Sequence, residues 1–239
     1  MADNVLLLDQ SPQCWTFTLN RPDKRNALSA ELVEALINAV EAAHAQQVPL
    51  LVFRGAGKNF SAGFDFTGHE DQSEGDLLLR MVRIETLLQC VAASPALTLA
   101  LAQGRNFGAG VDLFAACKLR YCTPDASFRM PGLKFGLVLG TRRFRNLVGA
   151  GHALSILGNA RPFDADEAHR IGFVEPPAPE SAWPSLQQQA AGMAQALDAP
   201  TREQLYSVLD VNHHDADMAA LVRSAARPGI KERIRQYLQ

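Results

Sequence analysis

Two glycine-rich segments, residues 55–68 and 104–110, are the parts of this sequence best suited to bind a ligand through the backbone. Each follows a short apolar run, and the second leads into a predicted helix that begins near Val111. Glycine lets a ligand approach the main chain closely, and N–H groups at the start of a helix lack intrahelical acceptors. Two such groups directed at one point would stabilise a carbonyl oxygen that gains negative charge. The same glycines could equally do no more than form tight strand-to-helix turns.

Asp112 is the acidic residue that follows the second glycine-rich segment most closely, and it lies in the first turn of the predicted helix. An acid there stabilises the macrodipole by about 0.3–1 kcal/mol without any catalysis. Asp65, in the first segment, is expected to fix its own loop through side-chain to backbone hydrogen bonds.

Other chemical motifs are incomplete. Residues 55–58 (GAGK) lack the earlier glycine of a phosphate-binding loop. Phe60 and Leu113 replace the third glycine of possible dinucleotide-binding motifs. The metal-like cluster at residues 213–217 (HHDAD) is expected to be a solvated loop between helices. We therefore predict no metal site.

The composition of the 239 residues is that of an ordinary globular protein, with 47% hydrophobic and 20% charged residues. It excludes a disordered, collagen-like or coiled-coil chain. A net charge of −2 gives no basic field for nucleic acid or anionic lipid, and no apolar run approaches the roughly 20 residues of a membrane span. The first residues lack the basic region of a secretory signal, and the four scattered cysteines suit a reducing compartment. We expect a cytoplasmic protein with no nucleic-acid or membrane partner.

The hydrophobic pattern predicts strands and helices in alternation. Two helices are indicated by apolar residues at helical spacing, one after Ser29 as N-cap and one from Leu77 to Val91, and a shorter one lies at residues 111–117. From about Gly149 the pattern is helical. The sequence therefore predicts an α/β core followed by a helical C-terminal part. Strands are predicted at residues 5–8, 14–19, 50–53, 97–101 and 119–121.

Three blocks of sequence carry a resemblance to a known family. They are RPDKRNAL at residues 21–28, NFSAGFD at residues 59–65, and Gly104 with GAG at residues 108–110. Together they are similar to the crotonase superfamily, which contains the enoyl-CoA hydratases and isomerases. The resemblance continues through residues 163–174 and 228–238, so that it covers essentially the whole chain. The combination is much more specific than either glycine-rich loop alone.

The resemblance implies the fold and the assembly. The fold is expected to be an α/β, crotonase-like spiral of repeated ββα units with a helical C-terminal trimerisation region. Residues 1–175 would form the spiral core and residues 176–239 the helical C-terminal region. A homotrimer or a dimer of trimers is the expected assembly.

The resemblance also implies the binding site for an acyl-CoA thioester. Phe64, which follows the SAG triplet, and Ala109 would supply the two N–H groups of an oxyanion hole. Alanine at that second position keeps the N–H but requires that its φ is not positive. Lys24, Arg25 or Lys58 could contact the CoA phosphates, although Lys24 and Lys58 equally suit solvated surface charges. No separate cofactor is implied, because CoA arrives as part of the substrate. The other residues expected at the substrate are Arg25, Ala27, Leu28, Ala62, Asp65, Phe66, Gly108, Pro131, Gly132 and Leu139.

The chain departs from the family pattern at two places. The family's hydratases carry two glutamates, and the corresponding positions here hold Asp112 and Gly132. Gly132 has no side chain to transfer a proton, which puts two-carboxylate water addition and the related isomerisation in doubt. The glycine-rich turn that hydratases have near residues 136–143 is shortened. Arg142 and Arg143 in this segment could bind a carboxylated acyl group, but they are expected to be exposed helix arginines.

The leading hypothesis is an acyl-CoA-processing enzyme of the enoyl-CoA hydratase/isomerase type, a class at work in fatty acid metabolism. It would stabilise a thioester enolate or oxyanion through Phe64 and Ala109, with Asp112 as general acid or base. Hydration, isomerisation, thioester hydrolysis and decarboxylation all remain open. The alternative is a non-catalytic CoA-thioester-binding or scaffold protein that has lost the catalytic glutamates, which Gly132 and the shortened turn favour.

Overall fold

The computed structural model describes residues 4–211 and 213–239. The first three residues, on which the prediction of no secretory signal partly depends, lie outside the described residues. The strands of the described part are β1 (Leu6–Gln10), β2 (Trp15–Leu19), β3 (Leu50–Gly55), β4 (Leu97–Ala102), β5 (Arg105–Phe107), β6 (Leu119–Cys122), β7 (Ser127–Arg129) and β8 (Phe163–Asp164). Its helices are α1 (Ala30–Ala45), α2 (Glu74–Ala92), α3 (Ala109–Ala116), α4 (Thr141–Asn159), α5 (Ala165–Arg170), α6 (Trp183–Gln195), α7 (Ala199–Leu209), α8 (His214–Ala225) and α9 (Ile230–Leu238).

The larger sheet has the strand order β1-β2-β3-β4-β6. Its edge strand β1 runs antiparallel to β2, and the remaining pairs are parallel. Neighbouring strands are in register, so that Phe17 of β2 lies beside Phe53 of β3 with their rings stacked at 4.8 Å. Strand β4 is buried throughout, and β3 is buried except at Arg54. Continuous apolar runs are typical of strands covered on both faces, and this prediction is confirmed.

A second sheet has three short strands in the order β5-β7-β8. Its strand β5 lies inside the second glycine-rich segment. Two successive units, β4-β5-α3 and β6-β7-α4, each place their first strand in the larger sheet and their second strand in the smaller one. The repeated ββα units expected from the sequence are therefore present. Strand β5 lies inside a segment that we predicted as loop, because three residues among glycines carry too little periodicity to identify a strand.

Helix boundaries follow local signals. The Ser29 hydroxyl accepts a hydrogen bond from the Leu32 N–H, as expected of an N-cap. Ser73 and Asp76 form a capping box at the start of α2. Helix α4 begins at Thr141 and includes Arg142 and Arg143, which were expected on a helix, so the helical part starts before Gly149, where the pattern was predicted to become helical. Gly149 interrupts α4 with φ 80° and ψ 161°.

The C-terminal helices pack onto the sheet and onto earlier helices. Trp183 and Ala190 of α6 belong to a buried cluster with Leu50 and Leu99 of the larger sheet. Helix α8 packs against α2, and α9 packs on the short 3₁₀-helix Gly132–Phe135. The division into residues 1–175 and 176–239 stays a prediction. In the described part, no helix is both long enough and apolar enough to cross a membrane.

An aromatic cluster behind α3 anchors the core. The ring of Phe173 is fully buried and lies between 5.2 and 5.6 Å from four other aromatic rings. Such ring pairs add to the stabilisation that burial alone provides. The partners of Phe173 are Phe114, Phe128, Phe144 and Phe163.

Replacing Phe173 by alanine tests this anchor. We expect Phe173→Ala to lower the free energy of unfolding by about 3–5 kcal/mol, because it removes a buried ring and leaves a cavity. Leu79→Ala is the control, since Leu79 on α2 is 58% exposed and should change that energy by less than about 0.5 kcal/mol. Urea unfolding followed by circular dichroism measures both. Equal losses in the two variants would contradict the assignment.

Candidate active site

A cavity of about 460 Å³ lies between the two glycine-rich loops, the segment 130–139 and the end of α9. One lysine and one arginine, Lys24 and Arg25, line the cavity, whereas Lys58 does not. Twelve of the thirteen residues predicted for the site line the cavity, namely Arg25, Ala27, Ala62, Phe64, Asp65, Phe66, Gly108, Ala109, Asp112, Pro131, Gly132 and Leu139.

Leu28 is the exception, and its contact with substrate stays a prediction. Its side chain is buried in the main core and does not line the cavity. Its backbone instead holds the first loop: the Leu28 N–H donates to the Gly63 carbonyl at 2.7 Å, and the Leu28 carbonyl accepts from the Asp65 N–H at 3.3 Å. The side chain points into the core because this short bridge to Phe64 fixes its backbone.

The two loops approach each other closely at Gly63. A Cβ atom there would lie 2.4 Å from the Phe107 carbonyl oxygen and 3.1 Å from the Ala109 nitrogen. Gly63 also has φ +80°, a backbone conformation in which a residue with a side chain is strained. Ala109 is not among the described residues with positive φ, so the alanine at this position is compatible with its backbone. The close approach brings the chain at Phe64 next to the start of α3.

Two backbone N–H groups are left without acceptors where the loops meet. Among the described residues, neither the Phe64 N–H nor the Ala109 N–H donates a hydrogen bond to the protein. The carbonyl of each donor peptide is itself hydrogen-bonded. The Gly63 carbonyl accepts from Leu28, and the Gly108 carbonyl accepts from Val111 at 2.8 Å. Hydrogen bonds in series polarise one another, so both free N–H groups are strengthened as donors.

Ser61 ties these loops to the preceding segment. Its hydroxyl donates to the Asn26 carbonyl at 2.8 Å and accepts from the Gly63 N–H at 3.2 Å. Gly110 packs directly on Ser61, because a Cβ on Gly110 would lie 2.6 Å from the Ser61 Cβ. The positions of the two free N–H groups therefore depend on contacts among residues 26, 61, 63 and 110.

Asp65 fixes its own loop, as the sequence predicted. One carboxylate oxygen accepts from the Thr67 N–H at 2.9 Å, and the other forms an ion pair with Arg21 at 2.8 Å. Burial raises the pKa of Asp65, but the hydrogen bonds from Thr67 and the contact with Arg21 outweigh it, so the net pKa lies below the usual value. Asp65 is therefore a stable anion that holds the loop.

Arg80 is a loop contact that the sequence analysis did not identify. Its guanidinium lies 4.2 Å from the centre of the Phe64 ring and donates to the Asp65 carbonyl at 2.7 Å. Arg80 belongs to α2, on the side of the helix that also places Met81 and Ile84 in the cavity wall. Helical spacing had identified Met81 and Ile84 as apolar positions, but no sequence signal connects Arg80 with Phe64.

Asp112 is a buried carboxyl group without a hydrogen bond to any residue that the structure describes. The residue is 3% exposed, and its Oδ1 atom is buried. This oxygen packs against Gly140, because a Cβ atom added to Gly140 would lie only 1.8 Å from it. Because Asp112 lines the cavity and only Oδ1 is fully enclosed, Oδ2 is the oxygen that reaches the cavity. Burial raises the pKa of Asp112 well above its ordinary value, Arg143 opposes the rise and Glu85 adds to it.

Gly132 leaves the opposite wall without a side chain. A Cβ there would lie 3.2 Å from the Leu137 carbonyl oxygen, so even a small side chain would be tightly confined. The carboxyl groups of the cavity wall are those of Asp23, Asp65 and Asp112. Asp23 is exposed and Asp65 is paired with Arg21, so Asp112 is the buried, unpaired one of the three.

The two arginines after the shortened turn differ from each other. Arg142 is partly exposed and pairs with Asp217 at 2.7 Å. Arg143 was expected to be exposed, and this was wrong: it is 4% exposed and lies 3.4 Å from Glu85. Its burial follows from the presence of a buried acidic partner on α2, which helical spacing does not reveal. Neither arginine is placed to bind a carboxylated acyl group, since neither Arg142 nor Arg143 lines the cavity.

The histidines singled out by the sequence lie outside the cavity wall. His69 bonds the Phe66 carbonyl at 2.7 Å and does not line the cavity. Residues 4–211 and 213–239 contain no group of three His, Cys, Asp or Glu side chains that could hold a metal ion. His214 is paired with Asp210 at 3.5 Å and begins α8.

Comparison with known proteins identifies the family. Residues 11–229 match the family model for enoyl-CoA hydratase/isomerase. A protein of Mycobacterium bovis named "Probable enoyl-CoA hydratase echA6" is 34% identical over 169 residues, which is 70% of this chain and 68% of that protein. The match to the family model covers nearly the whole chain and includes the three sequence blocks at residues 21–28, 59–65 and 104–110.

Solved structures agree with this family. The crystal structure of a "putative enoyl-CoA hydratase/isomerase" from Bordetella parapertussis has a TM-score of 0.97 and 72% identity, covering 98% of each chain. The enoyl-CoA hydratase from Bacillus halodurans, at 19% identity, has a TM-score of 0.85 over 98% of this chain and 100% of its own, and shows the shared fold alone. The predicted α/β, crotonase-like fold class is confirmed. The chain belongs to the enoyl-CoA hydratase/isomerase family of the crotonase superfamily.

Proposed function

We propose that this protein is an acyl-CoA-processing enzyme that holds the thioester carbonyl oxygen between the N–H groups of Phe64 and Ala109. The observation that carries the proposal is that these two N–H groups lack protein acceptors and belong to cavity-lining residues on adjoining loops. The names of the similar proteins support the same ligand class. These two N–H groups would accelerate any reaction that places negative charge on the thioester oxygen.

The two donors would act by stabilising an enolate or oxyanion rather than the resting thioester. A preorganised N–H donor contributes about 3 kcal/mol to a transition state in which charge develops on oxygen. The donors here cost little to reorganise, because Gly63 and Ser61 hold one loop and the first turn of α3 holds the other. Small side chains at Ala62 and Gly108 leave the backbone open to close approach by the thioester.

The remaining wall of the cavity suits the two ends of an acyl-CoA. Lys24 and Arg25 would attract CoA phosphates electrostatically. Met81, Ile84 and Leu139 provide apolar surface for the acyl chain. We propose no separate cofactor, because CoA enters as part of the substrate and the proposed chemistry needs only proton transfer and charge stabilisation.

Asp112 is the proposed general acid or base. It is the one buried and unpaired carboxyl among the wall residues, and its Oδ2 reaches the cavity. A single carboxyl can deliver or shuttle one proton at the carbon beside the thioester. With glycine at position 132, the protonation of an enolate formed by decarboxylation fits better than an addition of water or an isomerisation, both of which are expected to depend on a second carboxylate.

Binding and turnover of CoA thioesters test the proposal first. Enoyl-, 3-hydroxyacyl- and malonyl-type CoA thioesters are incubated with the protein, products are followed by mass spectrometry with chromatographic separation of isomers, and the melting temperature is recorded. We expect at least one thioester to raise the melting temperature and to be converted, because ligands that bind the native state stabilise it. Free CoA is the control for binding that does not involve the acyl group. Tight binding of thioesters without any product would favour a non-catalytic binding protein, and no binding would contradict the ligand class.

Replacing Asp112 by asparagine tests its role in proton transfer. We expect Asp112→Asn to lower kcat by about 10²–10⁴-fold with little change in KM, because asparagine keeps the shape of a neutral carboxyl but transfers no proton. Full turnover in this variant would show that Asp112 is structural only.

The same variant has a predicted effect on stability that needs no substrate. Since folding raises the pKa of Asp112, the wild type loses stability as pH rises from the unfolded-state pKa, about 3.9, towards the folded-state value. Asp112→Asn should remove that loss, as measured by urea unfolding across pH. Asp65→Asn is the matched control of opposite sign, because folding lowers the pKa of Asp65 and its carboxylate stabilises the fold above about pH 3.9.

We also propose that the chain assembles as a homotrimer or a dimer of trimers. Several large apolar side chains on and after α7 are exposed in the single chain, among them Val208, Leu209 and Val211. Burial of such a group between copies would remove it from water. Light scattering should give three or six times the mass of one chain. A monomer at all concentrations would contradict the assembly without affecting the proposed chemistry.

A further inference from the structure

Three ionisable side chains from three different helices meet behind the cavity. Glu85 belongs to α2, Asp112 to α3 and Arg143 to α4, and their exposed fractions are 1%, 3% and 4%. Only Asp112 lines the cavity, so Glu85 and Arg143 cannot touch a substrate in this conformation. The cluster holds one cation and two carboxyl groups, and this imbalance decides where a proton must sit.

Glu85 is the better-stabilised carboxylate of the two. Its Oε1 lies 3.4 Å from Arg143 Nη2 and accepts a hydrogen bond from Gln89 Nε2 at 3.0 Å. Asp112 has no hydrogen bond to any described residue, and its Oδ1 is pressed against Gly140. A buried carboxylate without a partner is far less stable than the neutral acid.

We propose that Glu85 is a positioning residue that keeps the proton on Asp112 by neutralising Arg143, whose unpaired charge would otherwise favour the Asp112 carboxylate. Glu85 carries the negative charge and neutralises Arg143, and Asp112 presents a neutral carboxyl group whose Oδ2 faces the cavity. The inference rests on the function proposed above, since it assigns the charge state of the group that would transfer the proton.

This arrangement suits a proton donor. When Asp112 protonates an enolate, the carboxyl O–H bond breaks and its electron pair stays on the carboxylate, while the enolate electron pair forms the new C–H bond. Arg143 keeps two buried donors, Nε and Nη1, that have no partner among the described residues. These two free N–H donors, rather than a net positive charge, are what Arg143 can offer to the Asp112 carboxylate that results.

The pKa directions agree with the geometry. Burial raises the pKa of Asp112, Arg143 opposes the rise and Glu85 adds to it. Burial also raises the pKa of Glu85, while Arg143 and Gln89 lower it. From α8, Asp217 raises the pKa of Glu85 further.

The other groups of the α8 region that border the cluster are already engaged. Asp217 is itself paired with Arg142 at 2.7 Å. The His214 carbonyl accepts from Gln89, and its ring pairs with Asp210. The charge balance around Asp112 therefore depends mainly on Glu85 and Arg143.

A carboxyl titration tests the proposal without any substrate. Protein labelled with ¹³C at the aspartate carboxyls is followed by NMR from about pH 5 to about pH 9, and the Asp112 signal is assigned by its loss in Asp112→Asn. In the wild type we expect the neutral acid at pH 7. In Glu85→Gln the midpoint should fall by about one pH unit or more, because a neighbouring negative charge is removed and the charge of Arg143 is no longer neutralised.

Glu34→Gln is the matched control, since Glu34 pairs with Arg83 on the same helix α2 but lies at the surface. It should leave the Asp112 midpoint unchanged. Arg143→Met alone would leave Glu85 without a cation and is expected to unfold, so the double variant Glu85→Gln/Arg143→Met is used instead. With both charges removed, the midpoint should return to a value at least as high as in the wild type.

Two results would overturn the proposal: an ionised Asp112 at pH 7 in the wild type, or a midpoint that Glu85→Gln does not lower. Because the titration is read without ligand, a failed thioester panel would reject the proposed function and leave the charge assignment standing. Once a substrate is known, the pH profile of kcat/KM should shift with the same variants, which a purely structural role of Glu85 would not produce.

Discussion

The close approach of two backbone loops is the constraint on which the rest of the site depends. At Gly63 the main chain lies so near Phe107 and Ala109 that no Cβ fits, and at Gly110 it lies equally close to Ser61. Both contacts exist only because glycine lets the backbones touch. Three stretches that are far apart in sequence, 21–28, 59–65 and 104–110, are joined there. The Ser61 hydroxyl and the Leu28 backbone bind the first two stretches to each other, and the Ser61 carbonyl accepts from the Phe107 N–H at 3.1 Å. These are the same three blocks that carry the family resemblance, so the resemblance records a physical contact.

Much of the fold could be predicted from the sequence because its signals are local. The buried strands β3 and β4 are continuous apolar runs, and the Ser29 cap precedes a helix with one apolar face. Twelve of the residues that the resemblance implied for the site line one cavity, since glycine-rich loops fix backbone positions within a few residues, and their contact with substrate stays a prediction. Short strands such as β5 were missed, because three residues in the middle of a glycine-rich segment show no period.

The rest of the site could not be predicted, because it depends on pairings across the chain. Glu85 and Arg143 are 58 positions apart, and nothing in the pattern of α4 indicates that one of its adjacent arginines points inward. Arg80 reaches Phe64 from α2 in the same way. Long charged side chains are usually exposed, so the sequence alone favours solvent for each of them. Only the packing of α2 against the loops and α4 decides otherwise.

Position 132 holds glycine, so the role proposed for Asp112 has to be filled without a second acid at that position. Two carboxyl groups facing each other across a substrate can divide the roles of acid and base, with their environments setting different pKa values. Here the second carboxyl of the neighbourhood, Glu85, lies behind the cavity wall and is bound to Arg143 rather than facing substrate. It can influence Asp112 only through charge. Under the proposed function, such a site would be better adapted to deliver one proton to a stabilised enolate than to activate water, because activating water requires an anionic base and Asp112 is proposed to be a neutral acid.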